Sequence, residues 1–266
     1  MPISKSVLAI AAHPDDIEFV MSGTMLQLAS RGWELHYFNI ADGCCGSTSM
    51  NRATCRAVRL KEAQASANLM QAVFYPPICH DLEIFYNEVA LAQVCQIVRN
   101  AKPSVILTHA LADYMEDHQN AARLAVTGAF ARSAPNFPDQ SRFAQWYANP
   151  IEHEVAIYHA QPHGNRDPMG EPVEPTHFVN VTPHIGRKRE LLACHASQAQ
   201  WLDASQRMGS YLSAMEQLNR EVGLMSQQFE YCEGWRRHYP MGFSSPDFDP
   251  LKSELSADRS IVIRNA

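Results

Sequence analysis

The chain has 266 residues, with 22 Lys+Arg against 28 Asp+Glu and a formal net charge of −6. That length suggests one large domain or two small ones at roughly 150 residues each, enough to bury a core without staples. Its 46% hydrophobic and 19% charged content argues against disorder, collagen and coiled coil, a pI near 6.0 with no long basic run argues against a nucleic-acid binder, and no apolar run approaches the ~18 residues of a membrane span.

Val7 to Ala12 reads as a buried strand rather than a signal peptide, because the short apolar run leads straight into His13-Pro14-Asp15-Asp16. Ile17, Val20, Met21, Thr24, Met25 and Leu28 then recur at helical spacing, and Gly32 closes that helix. Trp33 to Ile40 reads as a second strand and Ala41 to Asn51 as a Gly/Ser-rich loop. A long helix is predicted from Arg52 to about Ala72, with Asn51 as its N-cap. Val73 to Tyr75 is a short third strand ended by two prolines. Asn87 to Ala101 reads as a helix with Val89, Val94, Ile97 and Val98 on its buried side. Ser104 to Thr108, β-branched and apolar, is the best strand signal, and Asp117 opens a helix to about Arg132.

Beyond an irregular stretch, Ser133 to Pro150, the segments Val155–Tyr158 and Phe178–Val181 read as strands around a Pro- and Gly-rich loop, His159 to Thr176. Thr182-Pro183 starts a helix expected to run towards Leu202, with more helix to about Met225 and a polar tail from about Pro246. The alternation predicts an α/β fold, a parallel sheet with helices on both faces, over a single domain spanning 1–266. Seven cysteines, an odd number without a CxxC pair, fit reduced thiols and a cytoplasmic setting, and the neighbours Cys44 and Cys45 read as loop or core thiols.

Chemistry concentrates at two strand ends. His13, Asp15 and Asp16 follow the first strand, and Asp117 and His118 follow the Val105–Thr108 strand. Ligands of open parallel sheets bind outside the carboxyl ends of the strands. If those strands are neighbours, two imidazoles and a carboxylate converge, which is a catalytic zinc set with an open fourth position. Read alone, Asp15 and Asp16 also suit helix caps, and His118 a solvated first-turn residue.

Ala12-His13-Pro14-Asp15-Asp16-Ile17-Glu18-Phe19 resembles the AHPDDE signature of the PIG-L/LmbE family of zinc-dependent N-deacetylases. The stretch from His109 through Asp113-Tyr114 to Asp117-His118 is similar to that family's second motif. Arg59 with Glu62-Ala63, and His195-Ala196-Ser197-Gln198 after Lys188, follow in the family's order. The resemblance, over roughly 5–235, implies a Rossmann-like fold and amide hydrolysis on an N-acetylated amino sugar or conjugate. It implies His13, Asp16 and His118 as ligands of one zinc ion per chain and Asp15 as general base. Family members are often oligomeric, so it also implies a homo-oligomer as one arrangement. Asp117 is expected to accept the second N–H of His118.

One departure stands out. The family often has a histidine three residues before the last ligand, where it stabilises the oxyanion, and this chain has Met115, a thioether that donates no hydrogen bond. His163, in the Pro162-His163-Gly164 turn, is the candidate replacement and, with Arg59, the candidate substrate contact. His195 reads as a structural histidine. A non-catalytic, metal-containing sugar-binding protein of the same fold is the alternative. A glycosidase using Asp15 and Asp16 is disfavoured, since adjacent residues do not flank a bond at ~5–9.5 Å. No GxGxxG follows the first strand and no GxSxG occurs, so neither a dinucleotide site nor a serine nucleophile is supported.

Overall fold

The computed structural model describes residues 4–199 and 211–264. Its strands are β1 (Ser6–Ala11), β2 (Glu34–Asn39), β3 (Val73–Tyr75), β4 (Val105–Thr108), β5 (Ala156–Ala160), β6 (His177–Asn180), β7 (Cys232–Arg237) and β8 (Ile261–Ile263). They form one sheet in the order β3-β2-β1-β4-β5-β7-β6-β8. The first five are parallel, and β7, β6 and β8 extend the edge antiparallel. This is the α/β fold with a mostly parallel sheet that the alternation predicts.

β1 lies in the parallel half of the sheet and is buried along its whole length, which is why it reads as an unbroken apolar run rather than an alternating one. Successive side chains still point to opposite faces. Val7, Ala9 and Ala11 pack with Met21, Met25 and Leu28, while Leu8 and Ile10 pack with Val94, Val98 and Leu124. The helices supplying those layers are α1 (Asp16–Val20) and α2 (Ser22–Ala29) on one face, and α4 (Glu88–Ala101) and α5 (Glu116–Phe130) on the other. Helix α3 (Arg52–Met70) begins where expected, with the Asn51 side chain accepting from Thr54 N at 2.9 Å. In α4, Val89 is 43% exposed rather than buried. It precedes Val94 by five residues, about 140° around the helix, so the two cannot share a face.

The single helix expected over Ile17–Leu28 is two, broken at Met21 (φ −131°). The cause is a buried ion pair contributed from far along the chain. Glu233 of β7 accepts from Gly23 N (2.8 Å) and Thr24 N (2.6 Å), while Lys188 donates to Phe19 O (3.2 Å) and to Glu233. Gly23 N and Phe19 O would be partners in a continuous helix. A Cβ on Gly23 would lie 2.4 Å from Val181, so glycine is required at this crossing.

Thr182 begins a 3-10 turn rather than capping a helix, and its hydroxyl instead accepts from Tyr231 N at 3.1 Å. Helix α7 (Ile185–Ala193) follows α6 (Gln140–Phe143), a short turn of helix inside the stretch expected to be irregular. The helix expected to run towards Leu202 ends at Ala193, with a break at Cys194 and His195; residues 200–202 lie outside the described residues, and α8 (Tyr211–Ser226) matches the later helix. Among the described residues no helix is long and apolar enough to cross a membrane.

The C-terminal stretch is not a polar tail. Helix α9 (Pro250–Leu255) and β8 bury Leu251, Leu255 and Ile261. Asp249 ties them to the sheet, accepting from Tyr158 Oη (2.7 Å), His177 Nε2 (2.9 Å) and Lys252 N (3.0 Å). Burial would raise this carboxyl, but the His177 bond and charge and the Tyr158 bond bring it down to about 2. A depressed folded pKa stabilises above the unfolded value of about 3.9, and the contribution is lost as pH falls towards 2. Asp249→Asn is therefore expected to lose ~2 kcal/mol at neutral pH. Urea unfolding of the two proteins should converge near pH ~2; a gap independent of pH would assign Asp249 a purely packing role.

Candidate metal centre

The register that pairs Ile10 with Thr108 sets the carboxyl ends of β1 and β4 side by side, and Ala12 N donates to His109 Nε2 at 2.9 Å across them. Just beyond, the chain turns sharply. Asp15 takes the left-handed conformation (φ 97°), one that aspartate tolerates better than most residues. The turn is closed by the Asp16 carboxylate, which accepts from His13 N at 2.7 Å. His118 arrives from the first turn of α5.

Three donor atoms converge there. His13 Nδ1 lies 3.6 Å from Asp16 Oδ2, and His118 Nε2 lies 3.6 Å from Asp16 Oδ1. All three ligand atoms stand within 4.8 Å of one another. Donors ~2.1 Å from one tetrahedral zinc are ~3.4 Å apart, so the set fits a single ion with little adjustment. The second nitrogen of each imidazole is bound away from that point. His13 Nε2 pairs with Asp117 Oδ2 at 2.9 Å, and His118 Nδ1 with Asp113 Oδ1 at 3.0 Å. Carboxylate–histidine pairs of this kind fix the ring and its tautomer for a metal.

The expectation that Asp117 orients His118 is thus corrected. Adjacent helical residues point ~100° apart, so Asp117 reaches back to the β1 end while Asp113 serves His118. Burial opposes charge throughout, yet the bonds from Asp117 and Asp16 carry His13 up to about 10, and the charges of His118 and His109 hold Asp16 well below the usual carboxylate range. His109 stacks on His118, with ring centroids 4.1 Å apart.

Asp15 stands outside that donor set and is held by two residues. Tyr211 Oη donates to Asp15 Oδ2, and Arg59 Nη2 lies 3.4 Å from Oδ1. Burial raises the Asp15 carboxyl, with the Arg59 charge pulling the other way. Arg59 itself is buried, its Nη2 donating to Pro14 O. The glycines of the β2–α3 loop make room for this side chain, for a Cβ on Gly43 would stand 2.7 Å from Arg59 Cδ and one on Gly46 2.4 Å from its Nη1. Behind the site, His195 is fully buried 3.4 Å from Glu18, the structural role expected of it. Glu62 accepts from Ser197 N (2.8 Å) and Ser197 Oγ (2.6 Å), joining the two remaining motif segments.

His13, Asp15, Asp16 and His118 line a cavity of about 670 Å³, whose described walls also include Met115, His163, Tyr114, Phe19 and Gln198. The His163 ring sits 5.3 Å from Phe19 and 6.2 Å from Tyr114. The long loop therefore brings His163 to the same cavity as Met115. Tyr211 went unread in the sequence: it lies in an ordinary helical pattern, nearly two hundred residues from Asp15, and no local signal marks it.

Residues 8–129 match the model of the PIG-L family, described as GlcNAc-PI de-N-acetylase. Along 245 residues the chain is 24% identical to a 4-oxalmesaconate hydratase of Pseudomonas putida KT2440, covering 89% of this chain and 90% of that one. Among solved structures it is similar to the 4-carboxy-2-hydroxymuconate hydratase GalB of Pseudomonas putida KT2440 (TM-score 0.73, 20% identity, 88% of this chain and 96% of that one). It is equally similar to the N,N'-diacetylchitobiose deacetylase of Pyrococcus horikoshii (TM-score 0.73, 23% identity, 93% and 88%). A teicoplanin deacetylase, Orf2, shares the fold more loosely (TM-score 0.60, 14% identity, 87% and 97%).

Proposed function

We propose that this chain, which carries a PIG-L family domain over residues 8–129, is a zinc-dependent N-deacetylase acting on an amino-sugar-type substrate or conjugate. His13, Asp16 and His118 would hold the ion. When bound, it supplies a Lewis acid for the amide carbonyl and acidifies a water towards pKa ~7. Asp15, outside that ligand set, takes the proton of the attacking water and passes it to the departing amine nitrogen. Burial has already raised its carboxyl, as a proton acceptor working near neutrality requires. Tyr211 and Arg59 keep it aimed.

One observation carries the choice of substrate, the charge on the cavity walls. Among the described lining residues Asp15, Asp16 and Asp81 are acidic, the arginine, Arg59, is already engaged by Pro14 O and Asp15, and His13 and His118 are taken up by the proposed ion. An uncharged N-acetyl sugar needs no further cation, and its ammonium product is favoured beside Asp15. The second reading, a hydratase, is favoured by the 24% identity to the Pseudomonas enzyme across most of both chains. The substrate named for its structural counterpart, a carboxy-hydroxymuconate, carries several carboxylates, and these would want unengaged cations. Amine release from a panel of N-acetyl sugars is the expected result. Hydration of an unsaturated polycarboxylate without amine release would overturn it, and no turnover of either would return the sugar-binding alternative. The free state of all seven cysteines supports a reducing, cytoplasmic setting.

His163 is assigned the oxyanion-stabilising role that Met115 cannot fill. His163→Ala is expected to lower kcat ~100-fold while metal content stays normal. An unchanged kcat would remove His163 from the mechanism.

A further inference from the structure

A second group of metal-type donors shares no residue with the histidine centre, and two of its three members, Cys45 and Asp81, line the same cavity. Cys44, Cys45 and the Asp81 carboxylate bring their ligand atoms within 4.8 Å of one another. The two sulfurs are 3.9 Å apart and unbonded. Two thiolates 2.3 Å from one tetrahedral ion stand ~3.8 Å apart, so the pair is already at the spacing a shared ion imposes. The carboxylate is fixed in advance: Asp81 Oδ1 accepts from Gly43 N at 2.6 Å and Oδ2 from Cys45 N at 2.8 Å. Gly43 adopts φ 76°, the left-handed turn that folds the loop back onto Asp81.

The neighbouring group Asp42–Cys44–His80 is different. Asp42 is already paired with the Arg56 guanidinium (3.1 Å) and in contact with His80 (2.5 Å). Asp81 has no such counter-ion in its two bonds, both of which come from backbone N–H groups.

We infer that Cys44, Cys45 and Asp81 form a second, thiophilic cation site for a soft divalent ion such as zinc or cadmium. Cys45 and Asp81 line the cavity, so the ion's remaining coordination position faces the space where substrate is proposed to lie. Excess thiophilic ion would then occupy that space and inhibit. Metal ligation takes thiolates, and without an ion burial and Asp42 push the Cys44 thiol up to about 12. Binding therefore forms two S–metal bonds and releases two protons to solvent.

Cadmium is the probe, titrated into the metal-loaded protein and followed by the ultraviolet sulfur-to-cadmium charge-transfer band and by proton release. One further equivalent per chain is expected, with the band. The double variant Cys44→Ser/Cys45→Ser should lose the band and keep the first equivalent. Cys45→Ser, at an exposed position, should weaken cadmium binding at least tenfold without risk to folding. His118→Ala should keep the band while losing the first equivalent, which separates this site from the histidine centre. Absence of the band in the unmodified protein, or its survival in the double variant, would overturn the inference.

Discussion

His118→Ala is expected to leave the chain without its metal and without turnover. Its Nε2 is one of three donors within 4.8 Å, and no other described histidine replaces it from the same helix turn. His109 is stacked on it but spends Nε2 on Ala12 N. The substitution also strips Asp113 of its imidazole partner in a buried site. Loss of an orienting partner such as Asp113 costs metal affinity ~10–100-fold, and loss of a ligand should exceed that. Elemental mass spectrometry on untagged protein checks it: the variant should hold about one zinc per chain fewer than the unmodified protein. Full zinc in the variant would mean that the two strand ends do not share an ion.

Asp15→Asn is expected to separate chemistry from metal binding. Asparagine, like aspartate, tolerates the φ 97° conformation, so the turn that positions His13 and Asp16 survives. The amide keeps an acceptor for Tyr211 but cannot take a proton. A fall in kcat of ~10²–10⁴, with KM and zinc content unchanged, is the expected result. An unchanged kcat would move the proton transfer to another group, and a loss of zinc would place Asp15 among the ligands.

The parts legible in the sequence were those with local causes. β1 and β4 are buried on both faces and so read as apolar runs, and the cap at Asn51 is a one-residue signal. The candidate donors could be named because the alternation allowed two strand ends to be neighbours, with the family resemblance choosing Asp16 as the carboxylate. Which carboxylate serves which imidazole could not, since Asp113 and Asp117 are both near His118 in sequence and only helix geometry divides them. β7 was missed because Cys-Glu-Gly-Trp-Arg-Arg lacks β-branched residues, its place coming from pairing with β5 and β6. The break at Met21 depends on Lys188 and Glu233, invisible to any window around it. Tyr211 and the C-terminal strand are likewise settled by distant partners.

The adjacency of β1 and β4 has a thermodynamic consequence. His13 and His118 are 105 residues apart in the chain, and only native strand pairing brings the two halves of the proposed ligand set together. The unfolded chain therefore has no comparable site, and an ion held there binds the native state alone. By mass action it adds ~2.7 kcal/mol to folding when free metal stands a hundredfold above Kd. That is a sizeable share of the ~5–15 kcal/mol by which proteins stay folded. Metal supply would then govern how much folded protein a cell keeps, and scarcity would be felt first as turnover of the chain by proteases rather than as an idle enzyme.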